Sequence, residues 1–306
     1  MKVLVVARYK DGQYAPFVTE QVAAVESLGV NCRFFPVCGK GFVGYIRHLR
    51  KLRRAIKEFC PDLIHAHYGL CGLLCNLQRK VPVVTTYHGS DINNPRVLPL
   101  SRFAICLSAW NVFVSQQMIG RIGGGRRVSL VPCGVNLEDY VEVDKTEARK
   151  QMGLQSGIKY IIFAGAFDNA VKNVALAREV MSLVDGAELL ELKGYTRRQV
   201  ALLMYAADAL LMTSLTEGSP QVIKEALACG LPVVSVDVGD VRERIADVEG
   251  CRVTGRDAAG IAAALTEVLA ENRRTDGRAA IEREGLTGIQ AAKSLTDIYN
   301  RLVSIH

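Results

Sequence analysis

The chain has 306 residues, 49% hydrophobic and 23% charged, a globular balance that can build one large core or two modest ones. Its nine cysteines are scattered, which excludes a disulfide framework, and Cys71 and Cys75 have no second pair or His cluster to complete a zinc site. The net charge of +7 is uneven: up to Lys145 there are 19 Lys and Arg against 10 Asp and Glu, and beyond it 19 against 21.

The apolar start over residues 1–7 is too short for a signal peptide, and no stretch reaches the roughly 20 apolar residues of a membrane span. Reduced thiols and no export signal predict a cytoplasmic protein, soluble or attached to a surface.

Residues 2–7 form a continuous β-branched run, the pattern of a buried first strand. Arg8, Tyr9, Lys10, Asp11 and Gly12 make the loop after it. Helical periodicity over 17–28 ends at Gly29, and a strand follows over 31–36. Strand, loop, helix and strand at these lengths make a βαβ unit, with a parallel sheet and a right-handed crossover. Ligands of such open sheets bind outside the carboxyl ends of the strands, which makes Arg8, Tyr9, Lys10 and Gly12 candidates. No Gly-x-Gly-x-x-Gly follows the strand, which argues against a nicotinamide dehydrogenase.

Residues 42–59 read as one helix. Ile46, Leu49, Leu52 or Arg53, and Ile56 line one side; Arg47, Arg50, Lys51, Arg53, Arg54 and Lys57 supply the rest. That face is either simply solvated or drawn to anionic lipid heads. Nucleic acid is not the expected partner, because aromatics do not interleave the charges and no binding module is recognisable.

Residues 62–67 form a strand ending in His65-Ala66-His67. Two residues at i and i+2 of a strand point the same way. No third ligand is evident, so the reading is a satisfied structural pair with no metal. The strand over 82–86 leads to His88-Gly89-Ser90-Asp91, where the turn glycine puts His88 at a strand's carboxyl end. Residues 111–115 resemble a short strand that ends in Ser115. Gly123, Gly124, Gly125, Arg126 and Arg127 lack the ending of a phosphate-binding loop and read as a plain basic connector.

Residues 137–157 hold a linker and a short helix, and 159–163 restart a parallel sheet. The loop after it carries Gly165, Ala166, Lys172 and Asn173. A strand over 187–192 leads to Tyr195, Arg197 and Arg198. Only about 15 residues separate it from the helix after Asn173, too few for another strand-helix unit between them. Residues 261–269 form an amphipathic helix. In the terminal helix over 289–302, Ala292, Leu295, Ile298, Tyr299 and Leu302 share a stripe.

The segment 213–243 organises the rest. A buried strand over 209–212 ends at Glu217-Gly218-Ser219-Pro220. Ser219 suits an N-cap and Pro220 the first helical position. Val222, Ile223, Ala226 and Leu227 recur at helical spacing, Gly230 closes the helix, and 231–236 form the next strand. Glu217 in the loop and Glu225 in the helix are thereby fixed on either side of the helix N–H groups, a site for hydroxyls and anions.

Glu217-Gly218-x-Pro220, a second Glu eight positions after the first, and Ala226-x-Ala228-Cys229-Gly230-Leu231-Pro232 resemble the donor-sugar motif of the family 4 retaining glycosyltransferases. The resemblance implies an α/β chain of GT-B architecture: two facing Rossmann-like domains with parallel sheets, the C-terminal helix crossing back to the first. Residues 1–140 with 289–306 would form the acceptor-side domain and 141–288 the nucleotide-sugar domain.

By the same resemblance, His88 meets the transferred sugar, Lys172 neutralises the diphosphate, Glu217 meets sugar hydroxyls and Glu225 holds the ribose. Gly165, Asn173, Tyr195, Gly218, Ser219, Pro220, Gln221 and Val222 complete the donor site. Arg8, Lys10, Gly12, His67 and Asp91 lie on the acceptor side. Where the family has an arginine after the glycine, this chain has Ala166, and the expected replacement is Arg8 or Lys10, with Arg197 and Arg198 as rivals.

The implied reaction is retaining transfer of a sugar from a nucleotide sugar to a glycan or lipid-linked acceptor. It has no cofactor and no metal, and takes place in the cytoplasm or at the inner face of the membrane. A nucleotide-sugar epimerase or hydrolase, and a non-catalytic binding subunit, are the alternatives on the same scaffold.

Overall fold

The computed structural model describes residues 1–39, 41–125 and 127–304. Arg126 of the glycine-rich connector lies outside them. The chain forms two compact units, Met1–Gly134 with Gly288–His306, and Val135–Thr287.

The first unit begins with β1 (Lys2–Arg8), α1 (Pro16–Glu26) and β2 (Asn31–Val37). Then come α2 (Gly41–Ile46), α3 (Leu49–Phe59), β3 (Leu63–His67), α4 (Gly69–Asn76), β4 (Val83–Tyr87), α5 (Ser90–Asn93), α6 (Leu98–Leu107), β5 (Trp110–Phe113), α7 (Gln116–Ile122) and β6 (Val128–Leu130). The strands are parallel, in the order β2-β1-β3-β4-β5-β6. Val3, Val5 and Ala7 of β1 pack with Val18, Val22 and Val25 of α1, whereas Leu4 and Val6 pack with Leu52 and Ile56 of α3. Cover on both faces is why the strand reads as continuous rather than alternating hydrophobicity.

The second unit holds α8 (Lys145–Met152), β7 (Lys159–Phe163), α9 (Val174–Met181), β8 (Ala187–Glu191), α10 (Arg197–Ala206), β9 (Ala209–Met212) and α11 (Gln221–Ala228). It continues with β10 (Val233–Val236), α12 (Val241–Ile245), β11 (Arg252–Thr254), α13 (Ala258–Glu271) and α14 (Gly277–Arg283). Its sheet is also parallel, in the order β11-β10-β9-β7-β8. The last helix, α15 (Gly288–Val303), belongs to the first unit, with Ala292, Leu295, Ile298, Tyr299 and Leu302 buried in the same cluster as α1. Two parallel α/β units with this return helix are the GT-B fold.

Several expectations are corrected. The single helix over 42–59 is two, because His48 folds back: its Nδ1 lies 3.0 Å from the Gly44 carbonyl, and its Nε2 accepts the Cys38 N–H at 3.4 Å. Leu52 faces the core and Arg53 solvent. Residues 135–140 belong to the second unit rather than the first, since Val135 and Tyr140 are buried in its core and the Tyr205 hydroxyl donates to the Tyr140 carbonyl at 2.9 Å. The strand expected from 231 starts at Val233, after Pro232, and the one expected over 111–115 is Trp110–Phe113.

The terminal helix is tied into the first sheet by polar contacts as well. The Tyr299 hydroxyl lies 2.6 Å from His65 Nδ1, and His65 Nε2 lies 2.7 Å from Thr86 Oγ1. Burial pushes His65 down to about 3 from its ordinary 6.5. Below about 6.5 the unfolded chain takes up a proton that the folded chain refuses, so stability drops as the pH falls from there toward 3. Urea unfolding is expected to show this acid loss in wild type and a shallower one in His65→Gln. At neutral pH Tyr299→Phe should cost about 1 kcal/mol, because one buried hydrogen bond is lost.

Candidate functional site

In both sheets the first strand is flanked by the second on one side and the third on the other, so the connections leave in opposite directions at β1/β3 and at β7/β9. Loops diverge there and leave space beyond the carboxyl ends of the strands. In the second unit the loops concerned are 164–173 after β7 and 213–220 after β9.

These two loops are fastened to each other. The Leu215 N–H donates to the Val171 carbonyl at 2.8 Å. The Thr213 hydroxyl reaches the Lys172 and Asn173 carbonyls at 2.9 and 3.0 Å. Lys172 Nζ then meets Glu217 Oε1 at 2.7 Å, with both side chains mostly shielded from solvent. Gly165 makes room for this lysine: an added Cβ would lie 2.8 Å from Lys172 Cγ, at a backbone φ of +156°. Asn173, at φ 54°, turns the chain into α9. Ala166 offers no side-chain polar group, and its carbonyl accepts the Asn169 N–H at 3.1 Å.

Glu225 is buried on α11, and Arg197 Nη1 donates to its Oε1. Arg197 opens α10 behind a capping box formed by Thr196 and Gln199, and its guanidinium lies 5.8 Å from the Tyr140 ring centre. Tyr195 is 39% exposed, just before that cap. Glu217 and Glu225 are therefore each held by a cation of the same unit.

The start of α11 differs from expectation. Pro220 occupies the N-cap with extended ψ, Gln221 is the first helical residue, and no side chain caps the helix. Ser219 is drawn elsewhere, since its hydroxyl donates to Asp240 Oδ2 at 2.7 Å. Gly218 is buried and Val222 half-buried. Asp240 was missed by sequence reasoning, and its position after a glycine at the end of β10 was the available signal.

In the first unit, His88 stands beyond β4. Its Nε2 is 3.1 Å from His67 Nδ1, its Nδ1 3.8 Å from Cys133 Sγ, and its ring lies 4.7 Å from Phe17 and 4.9 Å from Tyr68. The expected satisfied pair of histidines is half correct. His65 is bonded through both nitrogens, but His67 Nε2 is buried without a hydrogen-bond partner. Burial, with the nearby His65 and His88 adding to it, holds His67 neutral, well below its ordinary range.

Asp91 is turned inward, where its carboxylate accepts the N–H groups of Gly69, His88 and Gly89 at 3.1, 3.1 and 3.0 Å. Burial raises its carboxyl to about 6 while these N–H groups pull it down. It shapes the His88 turn rather than presenting itself to a ligand. Arg8 is exposed at the end of β1, Lys10 pairs with Asp11 at 3.3 Å, and the Gly12 carbonyl accepts the Tyr9 hydroxyl at 2.6 Å.

A model of the family described as Glycosyltransferase Family 4 matches residues 2–139, and one described as Glycosyl transferases group 1 matches residues 160–271. The chain belongs to the family 4 glycosyltransferases. Among family relatives, TuaC of Bacillus subtilis, named as a candidate teichuronic acid biosynthesis glycosyltransferase, is 26% identical over 244 residues. That match covers 69% of this chain and 62% of TuaC, so the chain spans less than two thirds of that relative. Sucrose-phosphate synthase from Thermosynechococcus elongatus superposes with a TM-score of 0.87 at 16% identity over all of both chains. HepE from Anabaena, in complex with UDP and glucose, gives 0.77 at 15% identity, covering 98% of this chain and all of HepE. At these identities the structural likeness concerns the family fold.

Arg197→Ala would leave the buried Glu225 carboxylate without this guanidinium. It is expected to destabilise the chain by about 1–3 kcal/mol in urea unfolding, and adding Glu225→Ala should recover part of the loss.

Proposed function

We propose that this chain is a retaining glycosyltransferase that moves a sugar from a nucleotide-sugar donor to a glycan acceptor. The observation that carries the reading is the Lys172–Glu217 pair at 2.7 Å, set between the loops beyond β7 and β9 with Glu225 on the helix that follows. A cation and a carboxylate at the start of a helix suit a diphosphate joined to a polyhydroxyl ring: the lysine and helix N–H groups attract phosphate, and the carboxylate accepts hydroxyls.

In this reading Lys172 stabilises the charge that grows on the departing diphosphate while the acceptor attacks from the same face. Glu217 orients the sugar, Glu225 takes the ribose hydroxyls, and His88 is assigned to the sugar near the reacting carbon. Gly165, Asn173, Tyr195 and residues 218–222 line the donor. No metal takes part, because lysine and helix supply the positive charge. The donor would displace the two protein ion pairs as it binds, releasing Glu217 from Lys172 and Glu225 from Arg197. Ala166 favours a second reading, a subunit that binds nucleotide sugar without turning it over, and release of nucleoside diphosphate separates the two.

The acceptor is lipid-linked in this proposal, and the protein works at the inner face of the membrane. Among the described residues no helix is long and apolar enough to cross a membrane. Arg47 and the α3 residues Arg50, Lys51, Arg53, Arg54 and Lys57 are all exposed, while Leu52, Ile56 and Phe59 anchor the helix inward. Each basic residue near an anionic surface contributes about 1 kcal/mol, screened by salt.

Two measurements test the proposal. Glu225→Gln should weaken nucleoside diphosphate binding in calorimetry at least several-fold, whereas Glu217→Gln should lower turnover more than that affinity. Wild-type behaviour of both variants rejects the site. In low-salt sedimentation with anionic vesicles, wild type should pellet, and a variant with Gln at Arg47, Arg50, Arg54 and Lys57 should stay in solution. A wild type that does not pellet rejects the membrane assignment.

A further inference from the structure

The loop that carries Glu217 is gripped from two sides. On one side are the contacts to Lys172 and its neighbours. On the other is the loop after β10, residues 237–240, to which sequence patterns gave no role. Gly239 there has φ +61°, and an added Cβ would lie 2.7 Å from the Gly218 carbonyl oxygen and 3.2 Å from Glu217 Cβ. Only a residue without a side chain lets the two backbones lie this close. Next to it, Asp240 Oδ2 accepts the Ser219 hydroxyl at 2.7 Å and Arg244 Nε at 3.0 Å.

Asp240 is costly to keep. Its side chain is fully shielded from solvent, and Oδ1 is buried without a hydrogen-bond partner. A buried carboxylate is tolerated where its neighbours hold it, and Arg244 does so while also meeting Glu284 Oε2 on the far side at 2.8 Å. A helix cap on α11 would have been the simpler use of Ser219, worth about 1 kcal/mol. The chain gives up that cap and binds Ser219 sideways to Asp240.

We propose that Asp240 is a positioning residue of the sugar subsite, acting through Ser219 to set where Glu217 and Gly218 stand. The inference rests on the donor reading above. It adds that the loop after β10 is the second wall of the sugar end of the site, while the nucleotide end, at Glu225 and Arg197, does not depend on it. Ser219 and Asp240 then act as one unit, and Gly239 fixes the gap between the walls.

The test compares Ser219→Ala, Asp240→Asn, Asp240→Ala, Gly239→Ala and the Ser219→Ala/Asp240→Ala double variant. UDP affinity is measured by calorimetry, and turnover by UDP release from UDP-glucose with the glucosyl group passing to water, GDP and GDP-mannose serving as the second pair. Each single variant is expected to lower kcat/KM at least tenfold while nucleoside diphosphate affinity stays within about twofold. The double variant is expected to be no worse than the weaker single, because coupled residues are not additive. Asp240→Asn keeps an acceptor for Ser219 and should retain more activity than Asp240→Ala, which guards against a loss that is only misfolding.

Parallel loss of turnover and nucleoside diphosphate affinity would show general damage to the second unit and overturn the inference. So would a double variant whose loss is the product of the singles. Asp240 variants that behave as wild type while Glu217→Gln does not would overturn this inference alone. A wild type that binds neither UDP nor GDP would overturn the donor reading and this inference with it.

Discussion

The candidate site of the second unit turns on two loops being held together beyond β7 and β9. Parallel pairing sets the strands side by side, and the divergence of connections at that point opens the space. Backbone and hydroxyl contacts from Leu215 and Thr213 then close the two loops onto each other before any charge is considered. The Lys172–Glu217 pair sits on top of this zipper, and Arg256 supports its outer edge by donating to the Ser214 and Leu215 carbonyls at 2.8 and 3.2 Å. A half-buried ion pair by itself stabilises little, since desolvation offsets attraction. Here the loops align the pair.

The second consequence is electrical. Each carboxylate of the motif is matched by a cation of its own unit, Glu217 by Lys172 and Glu225 by Arg197. The two carboxylates are thereby neutralised as they stand, and under the proposed donor reading an anionic ligand would enter by exchange: phosphate oxygens would replace one carboxylate on the lysine, and hydroxyls would replace the cation on each carboxylate. Exchange of this kind costs less than stripping water from bare buried charges.

The first unit is built around a different line of contacts. Tyr299 on the terminal helix, His65 and Thr86 are joined by hydrogen bonds; the His65 ring lies 4.4 Å from His67, and His67 meets His88. A helix from the end of the chain is thus connected to a residue at the carboxyl end of β4. The basic exposed face of α3 lies on the opposite layer of the sheet from α15, since Leu52 and Ile56 pack with Leu4 and Val6 while Tyr299 packs with Val3 and Val5.

Much of this was legible in the sequence. Continuous β-branched runs separated by helical periods specified two parallel sheets, because a strand covered on both faces has no polar positions to alternate. Glu217 and Glu225 were legible because their separation is local: a tight loop and one helix fix both. The terminal stripe of Ala292, Leu295, Ile298, Tyr299 and Leu302 was legible for the same reason. What only tertiary structure decided lies between segments distant in the chain. Ser219 does not by itself announce Asp240, and Glu225 does not announce Arg197. A period in the sequence reports which face a side chain takes, whereas the partner it meets there is set by how separate strands come to lie side by side.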